Sequence, residues 1–232
     1  MTMKQEFDNL MAFAKDLINE NLGFYYDINY GYFQPETHPI VDFIRLIGRR
    51  IQSQLMLMPA LYGEVDQMER MFSDNLFFDE WAEVTLDGRS FHFLMRQIDN
   101  SSRIINLARD LVFPSPWIPR KLRDSLIRIG EGTLNGSWRQ DKDHQVTLWL
   151  PLGISFVEGS GHHSITAGIA KGEGELYPTS VYDISLIYDH VYTDGRYYYR
   201  THDHSIISEV HFVECAAIFE IGRIMAAQKI IF

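Results

Sequence analysis

The 232-residue chain holds a single cysteine, Cys215, so it can close no internal disulfide and supply no thiolate tetrad for zinc. That usage fits a reducing compartment. No apolar run approaches the roughly 20 residues that a helical membrane span requires. The first twenty residues mix Lys4, Glu6, Asp8, Lys15 and Asp16 among apolar side chains, which is not the basic-then-apolar order of a signal peptide. A cytoplasmic protein with no membrane partner is the expectation. Positive charge is scarce as well: 21 Lys and Arg face 31 Asp and Glu, a net charge of −10, which opposes attraction to a phosphate backbone. Nucleic acid is therefore not the expected partner. The local exception is Arg120, Lys121, Arg123 and Arg128, a short basic patch on a helical pattern whose alternative reading is a solvated helix face.

What the chain does have is ordinary globular composition, 46% apolar and 22% charged, which excludes wholesale disorder. Its length suffices for a real core. Phe7, Leu10, Met11, Ala14, Leu17 and Ile18 recur at three- and four-residue steps, predicting a first amphipathic helix that ends near Gly23. The aromatic stretch Phe24 to Phe33 reads as a packed irregular segment. Pro39 suits a helix start, and Ile40, Val41, Ile44, Ile47, Ile51 and Leu55 carry one face toward Met58. Met56, Met58, Met68 and Met71 read as core filler. Asp87-Gly88 predicts a β-hairpin between residues 83–86 and 90–95. Asn100 or Ser101 is placed to cap a helix through Ile104, Ile105, Leu107, Ala108 and Leu111, stopped by Pro114-Ser115-Pro116. A short helix over 121–129 follows.

Near residue 130 the pattern turns strand-like. Strands are predicted at 146–150, 154–157 and 176–182, a short helix at 164–171, a second hairpin about Asp194-Gly195 and a long helix over 208–228. The fold class is α+β: a mainly helical lobe with a β-hairpin over 1–130, and a lobe over 131–232 with a mixed sheet, a short helix and a long terminal helix.

The segment Gly159-Ser160-Gly161-His162-His163-Ser164-Ile165-Thr166-Ala167 carries the candidate chemistry. A strand running through a glycine turn into a helix start makes an anion site, because glycines admit close backbone approach and helix N-terminal amides favour negative charge. Gly159, Ser160, Gly161, Ser164 and Thr166 are the candidate ligand-binding residues, with His162 and His163 as the candidate acid, base or anion donor. The spacing is neither a Walker A loop nor a dinucleotide fingerprint, and a purely structural turn is the competing reading.

Over residues 145–190 these motifs resemble the signature turn of the ParB and sulfiredoxin-like superfamily, in which a strand enters a glycine, two polar residues and an Arg before a helix. Gly161-His162-His163-Ser164 is similar to the Gly-Gln-Gln-Arg turn of bacterial defence proteins of that fold, and Gly174-Glu175-Leu176-Tyr177-Pro178 resembles its next strand. The resemblance implies nucleotide phosphate as ligand. Ser164 stands where that superfamily has its phosphate-contacting Arg. The segment also resembles an uncharacterised bacterial and prophage family, which implies a genomic context rather than a known reaction, while the likeness to defence proteins implies a role in defence or anti-defence.

Histidines gather late in the chain, at positions 162, 163, 190, 202, 204 and 211. With Asp189, Asp203 or Glu214 they offer metal-ligating or acid-base groups, and His202 and His204 are the metal candidates, against a reading as solvated loop histidines. Cys215 reads as a packing residue on an apolar helix, against a reading as a nucleophile with His211 one turn away. Two acidic groups, Asp79-Glu80 with Glu83 and Glu173 with Glu175, read as solvated turns or as an acid-base pair. Two functions stay open. One is a nucleotide- or phosphate-ligand-binding protein, extending to a phosphohydrolase or nuclease-like factor, with a divalent metal ion or nucleotide as cofactor. The other is a non-catalytic inhibitor or defence accessory, prophage-encoded, that meets a bacterial protein partner through an acidic surface.

Overall fold

A computed structural model describes residues 1–19, 25–27, 31–33, 37–64, 76–99 and 102–232. Three long helices form one side. In α1 (Met3–Asn19), Phe7, Met11 and Ala14 follow helical spacing and are the buried stripe. α2 (Pro39–Tyr62) begins with Pro at its first turn and is capped by His38, whose Nδ1 accepts the Ile40 N–H at 3.1 Å. Both pack on α6 (Val213–Gln228), which is apolar nearly all round and therefore central.

The second layer is a five-stranded sheet built from β3 (Arg96–Ile98), β5 (Leu111–Phe113), β6 (His144–Leu150), β7 (Ile154–Gly159) and β9 (Ser180–Asp183), in the order β3-β9-β6-β7-β5. β6 and β7 are antiparallel, with His144 opposite Gly159 and Trp149 opposite Ile154. β5 lies parallel to β7, and β9 parallel to β6. Because strand side chains alternate, the sheet divides two cores. Leu111, Phe113, Trp149, Ile154 and Phe156 join the helical core. Val112, Val146, Leu148, Leu150, Val157 and Val181 join a smaller one closed by Trp138 and Ile165. Ile165 belongs to α5 (His162–Lys171), so α5 covers the opposite face from α6. Sheet and larger core both draw residues from either side of position 130.

A smaller antiparallel sheet takes β10 (Val191–Thr193), β11 (Tyr197–Arg200) and β12 (Ile206–Glu209). Asp194-Gly195 makes its first turn, where the Asp194 carboxylate accepts the N–H groups of Arg196 at 2.8 Å and Tyr197 at 3.0 Å. The α+β class, the first two helices, the helix α4 (Pro119–Arg128), strands β6 and β7, and this hairpin follow the sequence reading.

Elsewhere the structure corrects it. The turn at Asp87-Gly88 forms, with Gly88 at φ +80°, but the pairing around it is one bridge between Glu83 and Ser90. The expected return strand is instead a helical turn, α3 (Phe91–Leu94), followed by β3, which pairs with β9. No helix crosses 102–111. Ile105–Asn106 forms β4, paired to β8 (Glu175–Leu176), and residues 111–113 enter the main sheet. Asp110 explains the difference: its fully buried carboxylate accepts the Asn106 N–H at 2.7 Å and meets Arg45 of α2 at 2.7 Å, so the chain turns back on itself there. The strand expected over 176–182 is split between two sheets. Ser208 lies in β12, so the last helix starts five residues later than expected and His211 is outside it. Within the aromatic stretch, β1 (Tyr25–Asp27) and β2 (Gly31–Phe33) pair antiparallel, while its remainder, Met68, Met71, Asn100 and Ser101 lie outside the described residues.

Candidate functional site

β7 runs out at Gly159, whose φ of +67° starts the turn, and Gly161 at φ +102° caps α5. Both values favour glycine. At Gly161 space is an equal constraint, since a Cβ there would fall 2.6 Å from Cδ2 of His144. Ser160 Oγ donates to the Asp143 carbonyl at 2.6 Å, tying the turn to the start of β6. The first α5 backbone bond runs from Ile165 N to Gly161 O at 2.8 Å. The amides of residues 162–164 therefore belong to the turn whose N–H groups have no acceptor within the helix.

That end of α5 borders a groove of about 540 Å³. Its far wall is α4, which contributes Lys121, Asp124 and Arg128; Asp141, Asp143 and His144 line the side, and Ser160, Gly161, His163 and Ser164 complete it. The basic patch noted on the sequence thus supplies two of its side chains to the wall facing the glycine turn.

The paired histidines are placed differently from one another and from the sequence expectation of acid-base groups. His162 Nδ1 accepts the Ser115 N–H at 2.9 Å. His163, 9% exposed, uses Nε2 to accept from Trp117 at 3.3 Å and Ile118 at 3.1 Å. Both rings also pack on Trp117, with centroids 5.6 and 4.7 Å away. A ring nitrogen that accepts an amide N–H carries no proton of its own, so in the neutral rings the proton sits on Nε2 of His162 and Nδ1 of His163. The two imidazoles fasten the 115–118 segment, and with it the start of α4, to α5. Thr166 faces inward: its buried hydroxyl donates to the His162 carbonyl at 2.7 Å.

Sequence reasoning passed over His144 and Trp138. His144 Nδ1 accepts the Asp141 N–H at 3.1 Å, which leaves Nε2 to donate to Ser164 Oγ at 2.9 Å, and Ser164 in turn donates to the Gly161 carbonyl at 3.0 Å. This direction is the reverse of what a serine nucleophile needs from a general base. Burial lowers the His144 pKa, against the opposing pull of Asp141 and Asp143. Trp138 stacks on the ring at 5.6 Å and donates its Nε1–H to the Ser164 carbonyl at 2.8 Å. Glu173 completes the frame by accepting the Glu131 and Trp138 amides at 2.8 and 3.2 Å, bonds that hold its carboxyl below the usual range. No spacing rule marks these residues.

The other candidates fall elsewhere. His202 and His204 are exposed on the β11–β12 turn, His204 Nδ1 lying 3.0 Å from Tyr192 Oη and His202 Nε2 3.6 Å from Asp203. Among the described residues no group of three or more His, Cys, Asp and Glu is arranged to hold a metal ion. Glu214 pairs with Arg50 at 2.8 Å. Cys215 is buried, and burial pushes its thiol pKa up, which removes it as a nucleophile. No described helix is long and apolar enough to cross a membrane.

Residues 1–232 match the model of a family described as a family of unknown function (DUF6710), and the chain belongs to that family. No curated protein and no solved structure matches it.

Proposed function

Because membership of this family assigns no activity, we propose from the groove itself that the protein binds a phosphate-bearing small molecule, a nucleotide or a phosphorylated metabolite, between α4 and the glycine turn. The observation that carries the reading is the meeting of two anion-favouring features in one groove: the N-terminal turn of α5 on one wall, and Lys121 with Arg128 on the other. Neither would suffice alone in a groove that also holds Asp124, Asp141 and Asp143. The three carboxylates favour a ligand that brings a counter-cation or presents its phosphate to the α4 side.

The ParB and sulfiredoxin-like resemblance of residues 145–190 implies the same class of ligand but a different source of positive charge. That superfamily takes its phosphate-contacting cation from the turn, where this chain has Ser164; here Lys121 and Arg128 would provide the charge from a neighbouring helix. The role assigned is binding. His162 and His163 hold α4 in place rather than transfer protons, since both nitrogens in question accept backbone amides.

The test is thermal stabilisation by pyrophosphate and by ATP at low ionic strength. A ligand at a hundred times its Kd stabilises by about 2.7 kcal/mol, enough to move Tm by several degrees. The rise should be absent in Lys121→Ala plus Arg128→Ala; an equal rise in that variant, or none in the wild type at millimolar ligand, would refute the reading.

A second reading, docking of a protein partner, draws on an apolar groove of about 590 Å³ between α1 and α2, where Phe13 and Leu46 are 53% and 70% exposed. Pull-down that is insensitive to the Lys121/Arg128 variant but lost in Leu46→Glu would favour it.

A further inference from the structure

His144 stands where three parts of the groove meet. Through Nδ1 it holds the Asp141 amide, through Nε2 the Ser164 hydroxyl, and its ring face lies between Trp138 and Gly161. Asp141 and His144 line the groove beside α5 and also a second one, of about 730 Å³, bordered by Trp138, Arg139, Gln140 and Tyr177. The ring therefore sits in the partition between two grooves.

Only one protonation state satisfies this geometry. The neutral ring with its proton on Nε2 accepts at one nitrogen and donates at the other. An imidazolium would point an Nδ1–H at the Asp141 N–H, two donors face to face, and the ring or the 141–143 turn must move. We propose that His144 is a proton-operated latch on the groove wall: the neutral ring holds the Asp141–Asp143 turn against α5, and the protonated ring releases it.

The surrounding charges are compatible with such an exchange. Asp141 and Asp143 flank the ring on its own turn and would receive the new N–H, with Lys142 between them. Lys121, Asp124 and Arg128 line the same groove from α4, and His163 from α5. Arg139 and Glu175 line the second groove, and Glu173 holds the Trp138 amide. Asp143 adjoins the ring in sequence, and the Asp141 side-chain carboxylate, which accepts the Asp143 N–H at 3.1 Å, belongs to the residue whose amide the neutral ring holds, so release exchanges an amide-to-ring bond for a ring-to-carboxylate one. Any effect on ligand rests on the phosphate reading above; the latch itself does not.

The experiment uses ligand-free protein labelled with ¹⁵N and titrated from about pH 8 to about pH 5. The Asp141 amide and the Trp138 indole N–H should shift together with one midpoint below the ordinary imidazole value of about 6.5. In His144→Asn, whose Oδ1 keeps an acceptor for the Asp141 amide without titrating, that transition should vanish. A static Asp141 amide, or the same midpoint in His144→Asn, would overturn the latch. A wild-type readout needs no variant: imidazole ¹⁵N shifts at about pH 8 should report the Nε2–H tautomer. The Nδ1–H tautomer would equally overturn it. Loss of pyrophosphate binding alone bears on the ligand reading and leaves these signals unchanged.

Discussion

The Nε2 atom of His163 lies 3.1 Å from the amide nitrogen of Ile118, the residue immediately before α4. One side chain of the glycine-turn helix thus fixes the start of the helix that faces it. His163→Ala removes the acceptor of two amides and should lower unfolding free energy by about 1–3 kcal/mol. Urea denaturation measures it. A purely catalytic imidazole would leave stability near that of the wild type.

Lys121 and Arg128 are exposed, with Lys121 Nζ 5.9 Å from the centroid of the Trp117 ring, so Lys121→Ala and Arg128→Ala should each change stability by no more than about 1 kcal/mol. Their effect should fall on binding instead. Calorimetric titration with pyrophosphate should show weaker affinity for each variant, and a wild-type affinity that declines as salt is raised.

The Asp110 carboxylate is fully buried, and Arg45 meets it from α2 with little exposure of its own. Removing Asp110 leaves Arg45 with Asp42, at 2.6 Å on its solvent side, but takes away its buried partner and the acceptor of the Asn106 N–H. Asp110→Ala should therefore cost about 3–5 kcal/mol by chemical denaturation.

Mild acid should destabilise the fold through His144 and His38, whose pKa values are both held down by burial. Each ring accepts a backbone N–H when neutral. The unfolded chain then binds more protons, so their contribution is complete above about pH 6.5 and is lost as pH falls through the lower folded values. Glu173, held low by backbone amides, acts with the same sign in a separate window beginning near about pH 4.3. Tm measured across this range should show two steps, the upper one reduced in His144→Asn.

Cys215 should resist a thiol reagent in the native protein at about pH 8 and react at once in denaturant, because burial disfavours its thiolate. Ellman titration with and without urea reads the difference.

The sequence conveyed elements whose pattern is local. Phe7, Met11 and Ala14 share a helix stripe, and Asp194-Gly195 sets a tight turn with its own backbone bonds. The stretch through Ile105, Leu107 and Leu111 misled because its spacing satisfies a helix, while the deciding interaction is with Arg45, 65 residues from Asp110. The site divided the same way. Its glycine turn was legible because positive φ selects for glycine. The roles of His162 and His163 were not, since their partners are backbone amides 45 to 47 residues away, and no side-chain pattern encodes an amide. Lys121 and Arg128 were visible as a basic patch, but only the fold brings that patch opposite the turn.

Amide chemical-shift mapping with pyrophosphate addresses the groove most directly. Saturable shifts largest at Ser160, Gly161 and Ser164 and along residues 121–128, abolished in Lys121→Ala plus Arg128→Ala, are the predicted result. Saturable shifts confined to other surfaces, or no saturable shift with pyrophosphate or ATP at millimolar concentration, would contradict the account.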